Sequence, residues 1–222
     1  MPSSPEEKGF GQGNPALHEW ALGVFRPEDA VLSEIRQRSI REGLPAIAVG
    51  KFDGLHLEVL ARAAGAQKAV EIGTLGGYSG VCLLRGMAPH GVLYTFEYSE
   101  KHARVANESF HKAGVAARVH VHVGAAIEKL PEIEAEAPFD LVFVDADKVS
   151  YPAYLAWAAD HLREGGLLLA DNAFGFGEIH LPGDDEGRKA LRKFNEELAQ
   201  GGRFRATMIP TAEGLALGVK VK

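Results

Sequence analysis

Residues 68–79 read KAVEIGTLGGYS, and this stretch carries the clearest structural signal in the chain. Its first five residues form a short apolar run that predicts a buried strand. The glycines that follow let the backbone pass close to a ligand, and a helix that begins near Ser79 offers N–H groups and a hydroxyl to a small carboxylate. The spacing is not G-x-G-x-x-G, which disfavours a dinucleotide site. A tight turn with a capping serine explains the same residues, so the loop alone leaves both interpretations open.

Strands and helices alternate on the C-terminal side of this stretch. Further strands are predicted at 92–96, 118–123, 141–144 and 167–170, with helices near 77–88, 99–113, 125–130 and 150–163. A helix at 185–200 then precedes two strands, 203–210 and 215–221, which are joined so closely that they must be antiparallel. Upstream, helices are predicted near 31–40 and 54–64. The pattern predicts an α/β fold with a mostly parallel seven-stranded sheet, a C-terminal antiparallel hairpin and helices on both faces.

The composition excludes several classes of protein. With 222 residues, 46% of them hydrophobic, the chain suffices for one domain with a sizeable core, and no apolar run approaches the roughly 18 residues of a membrane span. A net charge of −6 opposes non-specific binding to nucleic acid. The single cysteine, Cys82, favours a cytoplasmic location. Residues 1–15 lack the apolar core of a signal peptide and are predicted to be a flexible tail before one domain at 16–222.

Glu97 ends the second predicted strand, about 20 residues beyond the glycine loop, where nucleotide-binding sheets place an acidic residue on the ribose. A carboxylate suits this role because it accepts hydrogen bonds from both hydroxyls of the diol. An isolated acid at a strand end is more often solvated. Together with the glycine loop, however, Glu97 predicts a nucleoside site.

Oxygen-bearing side chains end the fourth and fifth strands of the predicted sheet. Asp145 follows one strand, and Asp171 and Asn172 follow the next. Because ligands bind at the carboxyl ends of parallel strands, these three side chains are predicted to converge. Two carboxylates and an amide oxygen favour Mg²⁺ over zinc. Capping of the helices that follow is the alternative role.

Lys148 lies one short turn beyond Asp145. A lysine held near a bound cation can act as a general base, whereas an ordinary loop lysine is simply exposed. Asp147 either caps the next helix or holds Lys148.

Together, EIG at 71–73, GYS at 77–79, FVDADK at 143–148 and DN at 171–172 resemble the cation-dependent O-methyltransferases. This family includes the catechol and caffeoyl-coenzyme A enzymes, and the chain is closer to the caffeoyl type. The likeness runs from Leu17 to Val219. It implies the Rossmann-like fold of class I methyltransferases, which use S-adenosylmethionine (SAM).

The resemblance also implies an activity, which is transfer of a methyl group from SAM to a hydroxyl of a catechol-like or other vicinal-diol small molecule. Lys148 and Asp145 would be catalytic, and Asp145, Asp171 and Asn172 would bind Mg²⁺ or another divalent cation such as Mn²⁺ or Ca²⁺. By analogy, helices within residues 16–65 would lie at the substrate mouth and at the interface of a homodimer.

The resemblance also implies which residues contact SAM. Glu97 would bind the ribose, Ser79 and the backbone at Gly73 the methionine end, and Ala126 the adenine. The full set of implied SAM-binding residues is Glu71, Gly73, Gly77, Tyr78, Ser79, Glu97, Ala126 and Asp145.

Two stretches depart from the caffeoyl-type pattern. IAVG at 47–50 replaces a Met-Thr-Thr-Ser-like segment, and AFGFG at 173–177 replaces a tryptophan-containing loop. Phe174 and Phe176 either flank an aromatic substrate or anchor the loop. The substrates of the plant enzymes therefore do not transfer to this chain.

Two other functions remain open. The same site could methylate a hydroxylated tRNA uridine, but only a loose basic cluster at 188–193 would face nucleic acid. A non-catalytic nucleotide-binding protein of this fold would be expected to have lost the metal set or Lys148, and both are present. The glycine spacing and the closing hairpin disfavour a nicotinamide dehydrogenase.

Overall fold

The structure is a computed structural model that describes residues 14–222. The predicted tail at residues 1–15 lies almost entirely outside the described residues. Its last residue, Pro15, begins helix α1 (Pro15–Phe25), which Asn14 caps. The sequence does not predict this helix individually. None of the helices formed by residues 14–222 is long and apolar enough to cross a membrane.

Three helices precede the sheet, and strands and helices then alternate to the C-terminus. After α1 come α2 (Ala30–Arg41), α3 (Lys51–Ala63), β1 (Lys68–Ile72), α4 (Tyr78–Gly86), β2 (Val92–Glu97), α5 (Glu100–Lys112), β3 (Val119–Val123), α6 (Ala126–Lys129), β4 (Phe139–Val144), α7 (Tyr151–His161), β5 (Leu162–Ala170), α8 (Glu186–Gln200), β6 (Phe204–Ile209) and β7 (Leu215–Lys220). Short 3₁₀ turns lie at Ala116–Arg118, Leu130–Glu136 and Lys148–Ser150.

The seven strands form one sheet in the order β3-β2-β1-β4-β5-β7-β6. The first five strands along the chain pair in parallel, and β7 is antiparallel to both β5 and β6. The predicted fold class is confirmed. The strand order reverses between β1 and β4, which opens a crevice at the carboxyl ends of these strands.

Successive side chains of a strand point to opposite faces of the sheet. Helices cover both faces and bury these side chains in two apolar clusters. In β4, Val142 and Val144 pack with α7 and α8, whereas Leu141 and Phe143 pack with the helices on the other face. Full burial of such a side chain stabilises the fold by roughly 1.5–3 kcal/mol. The carboxyl end of β4 is therefore held in place by an apolar cluster on each face of the sheet.

Some predicted boundaries are wrong in detail. Strand β5 begins at Leu162 rather than Leu167, and helix α3 begins at Lys51, before the predicted start at residue 54. Strand β3 is only partly buried because it is the edge strand of the sheet. Ile40 and Val59 lie on predicted apolar positions but are exposed.

Candidate active site

A cavity of about 730 Å³ opens at the carboxyl ends of β1, β2 and β4, where the strand order reverses. Its wall is formed by the loops after β1, β2, β3 and β4, by residues 45–49 before α3, and by residues from the two segments that follow β5 and β6. Open parallel sheets bind their ligands at this position. The cavity therefore contains the candidate site.

The loop after β1 turns sharply at glycines whose backbone angles disfavour a side chain. At Gly73, with φ of +103°, a Cβ would lie 2.0 Å from the carbonyl oxygen of Asp145, so the loop packs directly on the end of β4. Gly77, with φ of +86°, immediately precedes α4 and packs against the ring of Phe110. Gly73 lines the cavity, whereas Gly77 shapes the loop from behind.

Glu71 lies beneath the glycine loop and is fully buried. Its carboxylate accepts hydrogen bonds of 2.6 Å from the hydroxyls of Ser79 and Thr95. Burial raises the pKa of Glu71 to about 7, against the effect of these hydrogen bonds. Of the predicted SAM-binding residues, Glu71 and Gly77 do not line the cavity, whereas Ser79 does. Glu71 thus supports the cavity wall and is not part of it.

Glu97 lines the cavity and also holds the glycine loop in place. One carboxylate oxygen accepts the backbone N–H of Leu75 at 2.8 Å, and the other accepts that of Ser99 at 3.0 Å. The ring of His102 approaches the second oxygen to 3.3 Å. The oxygen that accepts the N–H of Leu75 can accept a further hydrogen bond, so Glu97 retains capacity for a ligand.

The turn after β3 forms the neighbouring wall of the cavity. Ala126 is the first residue of α6 and lines the cavity beside Ile127. Tyr98, which is 80% exposed, lines the same cavity directly after Glu97. Aromatic and aliphatic side chains thus accompany the acidic residue.

Tyr78 joins the cavity wall to the N-terminal helices. Its hydroxyl donates to Glu28 at 3.1 Å, and the guanidinium of Arg36 lies 4.2 Å from its ring centre. Arg36 also donates to the backbone carbonyl of Val49 at 3.1 Å, which fixes the segment before α3. Burial raises the pKa of Tyr78 well above its ordinary value, so this residue stays neutral.

Lys148 lies at the other end of the cavity and is held by two acceptors. Its ammonium group donates to the hydroxyl of Tyr151 at 2.7 Å and to the carboxylate of Asp145 at 3.2 Å. Tyr151 is fully buried, and burial, followed by the charges of Asp145 and Asp171, raises the pKa of its hydroxyl. Lys148 is therefore a fixed group and not a loose loop lysine.

Asp147 turns away from Lys148. One of its oxygens caps the 3₁₀ turn by accepting the backbone N–H of Ser150 at 3.0 Å, and the other accepts the hydroxyl of Tyr154 at 2.9 Å. Of the two roles considered from sequence, the structure shows the capping role.

Asp171 and Asn172 end β5 and are buried. The amide nitrogen of Asn172 donates to the carboxylates of Asp171, at 3.4 Å, and of Glu213. Asn172 and Glu213 line the cavity, whereas Asp171 lies behind its wall. The sequence does not identify Glu213 as a site residue, because an acid in a short hairpin connection usually faces solvent.

The two phenylalanines after Asn172 have different roles. Phe174 packs on Gly214, where a Cβ would lie 2.7 Å from its ring, and its backbone N–H donates to the carbonyl of Glu213. Phe176 lines the cavity and is 50% exposed. Phe174 therefore anchors the loop, and Phe176 faces the ligand space.

The polar end of the cavity offers oxygen ligands for a cation. Among residues 14–222, no three His, Cys, Asp or Glu side chains form a group that could hold a metal ion. A donor of another type, such as an amide oxygen, would complete such a set. Because the nitrogen of Asn172 donates to two carboxylates, its carbonyl oxygen is the amide atom left to accept. This oxygen with Asp145 and Asp171 is a hard donor set that fits Mg²⁺.

The sheet order, the glycine loop after β1 and the acidic end of β2 define a class I SAM-dependent methyltransferase fold. Residues 24–221 match the family described as O-methyltransferase. A catechol O-methyltransferase of Mycobacterium tuberculosis is 40% identical over 197 residues, which cover 86% of this chain and 89% of the relative.

Two solved structures are similar along most of their length. The O-methyltransferase from Bacillus cereus, in complex with SAH, is 36% identical with a TM-score of 0.86 and covers 92% of this chain and 97% of that chain. The O-methyltransferase TomG from Streptomyces achromogenes, involved in tomaymycin synthesis and in complex with SAM, is 33% identical with a TM-score of 0.88 and covers 100% of both. The chain therefore belongs to the O-methyltransferase family.

Proposed function

We propose that this O-methyltransferase transfers the methyl group of SAM to one hydroxyl of a catechol-like or other vicinal-diol small molecule. The reaction depends on a divalent cation, for which Mg²⁺ is the first candidate. One observation carries the proposal. A single continuous cavity joins the glycine loop and Glu97 at one end to Asp145, Lys148 and Asn172 at the other. A nucleoside site and an oxygen-rich site that share one cavity suit a reaction between their ligands.

The glycine-loop end would bind SAM. Glu97 has acceptor capacity for the ribose hydroxyls, and Ala126, Ile127 and Tyr98 supply apolar surface for the adenine. Glu71 and Gly77 would support the SAM site without lining the cavity. Two members of the family that carry SAM or its product support this assignment.

The polar end would bind the methyl acceptor. Asp145, Asp171 and the amide oxygen of Asn172 would hold the cation, which when bound favours ionisation of a neighbouring substrate hydroxyl. Glu213 fixes the amide orientation of Asn172. Tyr151 and Asp145 hold the amine of Lys148, which in its neutral form would accept the hydroxyl proton.

Two observations favour a small aromatic acceptor over tRNA. Catechol is the acceptor in the name of the Mycobacterium tuberculosis relative. In the basic cluster of α8, Arg188 pairs with Glu178, and Lys189 pairs with Asp184 and Glu186. These positive charges are paired with acidic side chains of the same chain, which weakens the case for a nucleic-acid-binding surface.

We also propose that residues 16–222 form a single methyltransferase domain, that residues 16–65 frame the mouth of the cavity, and that the enzyme is a cytoplasmic homodimer. The buried thiol of Cys82 suits a reducing compartment.

The test is methyl transfer from SAM to catechol, followed as SAH formation with Mg²⁺ or with excess EDTA. We expect product only with the cation. Asp171→Ala should lower turnover by at least about 100-fold, because removal of residues that merely support a metal ligand already costs about 10–100-fold. Binding of SAH should remain within about twofold because Asp171 is proposed to contact the cation and not SAM.

Asp160→Ala is the matched control, because Asp160 is an exposed aspartate on α7 that pairs with Arg203. It should keep full activity. Full turnover in EDTA, or in Asp171→Ala, would contradict the metal-dependent mechanism.

A further inference from the structure

Asn172 has a backbone conformation that few residues with a side chain adopt. Its φ of +59° lies in the left-handed region, where asparagine is one of the residues that occur most often after glycine. A residue that is buried, as Asn172 is, stays in this conformation only where its surroundings impose it. The hairpin connection, residues 210–214 between β6 and β7, supplies these surroundings.

The hairpin connection first holds the backbone that follows Asn172. The N–H groups of the next two residues, Ala173 and Phe174, donate to the carbonyls of Gly214 and Glu213, both at 2.9 Å. These bonds extend the contact between β5 and β7 beyond the ends of both strands. The direction in which the chain leaves Asn172 is therefore set by the C-terminal hairpin.

The same connection also holds the side chain of Asn172. The carboxylate of Glu213, which is 5% exposed, accepts a hydrogen bond from the amide nitrogen of Asn172. An amide has its donor and its acceptor on opposite branches, so a bond to the nitrogen fixes where the oxygen points. Both residues line the cavity. Glu213 thus determines which atom of Asn172 is available to a cation.

Gly214 allows the hairpin connection to approach Asn172 this closely. Its φ is +77°, and a Cβ at this position would lie 2.7 Å from the ring of Phe174. Such a contact is too short to form, so a side chain at position 214 would displace Phe174. Because Phe174 is only two residues from Asn172 and is bonded to Glu213, its displacement would disturb both.

We infer that the hairpin connection positions Asn172 as a ligand of the cation, with Glu213 acting on its amide and Gly214 on its backbone. Both are positioning residues, and the inference rests on the proposed cation site. A ligand that is ordered before the cation arrives binds it more tightly, because the free energy of ordering a loose ligand is subtracted from that of binding. Residues that support a metal ligand contribute about 10–100-fold in affinity.

The first test is Mn²⁺ binding to the protein alone, followed by electron paramagnetic resonance of the free ion. We expect Gly214→Ala to weaken Mn²⁺ binding by roughly tenfold. Far-UV circular dichroism checks that the variant is folded.

Gly202→Ala is the matched control, because Gly202 lies in the turn after α8 with the same φ of +77°. Apart from its chain neighbours, no atom of residues 14–222 lies within 4 Å of a Cβ built there. The two variants therefore share the backbone strain, and only Gly214→Ala displaces another residue. Gly202→Ala should keep the Mn²⁺ affinity within about twofold. Equal affinities for the two variants would overturn the inference.

The second test compares two substitutions of Glu213. Glu213→Gln keeps an oxygen that accepts the N–H of Asn172, whereas Glu213→Leu has a similar size and no acceptor. We expect Glu213→Gln to retain the Mn²⁺ affinity within about threefold and Glu213→Leu to lower it roughly tenfold. Equal losses would mean that Glu213 acts through its charge or binds the cation directly, and the positioning role would be wrong.

The wild-type protein separates this inference from the proposed function. If it bound no Mn²⁺, the proposed cation site would itself be wrong. If it bound Mn²⁺ and every variant matched it, only the role of the hairpin connection would fail.

Discussion

Glu71 is a carboxylic acid without exposed surface, and its ionisation should cost stability. Burial raises its pKa from 4.5 to about 7, so the folded chain binds the proton more tightly than the unfolded chain. The stability this provides is fully present below pH 4.5 and is lost as the pH rises through 7. We therefore predict that Glu71→Gln, which cannot ionise, gains about 2–3 kcal/mol relative to wild type between pH 5 and pH 8. Urea unfolding at several pH values measures the difference.

The matched control is Glu196→Gln on the exposed face of α8. Its difference from wild type should stay within about 0.5 kcal/mol at every pH. Parallel stability curves for Glu71→Gln and wild type would show that Glu71 is not the group that titrates.

Single residues could be predicted from sequence where they directly end a strand. The sequence predicts Glu97, Asp145 and Asn172 as site residues because the carboxyl ends of parallel strands lie at one edge of the sheet. Glu213 could not be found in this way, since only the pairing of β5 with β7 brings it to Asn172. The hydrogen bond from Ser79 to Glu71 depends on how the turn after β1 brings α4 back against that strand, which a linear motif does not contain.

At the scale of elements, the segment between β5 and α8 depends on Arg192. This side chain donates to three backbone carbonyls of the segment, those of Ile179, Leu181 and Gly183. The same segment carries Phe176 to the cavity wall. We predict that Arg192→Ala speeds amide hydrogen exchange in residues 174–184 by roughly tenfold, as expected for loss of about 1–2 kcal/mol. The acceptor KM should rise several-fold while SAH affinity is kept.

Hydrogen exchange with mass spectrometry provides the measurement, and Arg205→Ala, at an exposed position of β6, provides the control. Unchanged exchange in residues 174–184 would mean that Arg192 does not hold this segment.

The sequence predicts strands best where both faces of the strand are buried, because every residue is then apolar, as in most of β1 and β4. Helix α1 is not predicted individually because its apolar residues lie on more than one side of the helix, so the sequence shows no single apolar stripe. Ala21 is buried, whereas Trp20 and Val24 are more than half exposed. Periodicity predicts which residues are apolar on one face, but it does not show whether another element covers that face.

At the scale of the whole molecule, helix α1 carries an exposed apolar surface that is relevant to the oligomeric state. Leu17, Trp20 and Val24 recur at helical spacing and are all exposed, with Phe25 beside them. Contacts of His18 and Phe25 with Phe52 hold α1 against α3, so the surface has a fixed position. A contiguous exposed apolar patch on a fixed helix is typical of a protein interface. We propose that a second copy of the chain covers it.

We predict a homodimer at micromolar concentration in size-exclusion chromatography with light scattering. Trp20→Glu should convert it to a monomer, because a charged side chain would lie in the apolar contact with no partner. Val221→Ser, which changes an exposed apolar residue near the C-terminus, should leave the dimer intact. A monomeric wild-type protein, or a dimer that survives Trp20→Glu, would mean that α1 is not the interface.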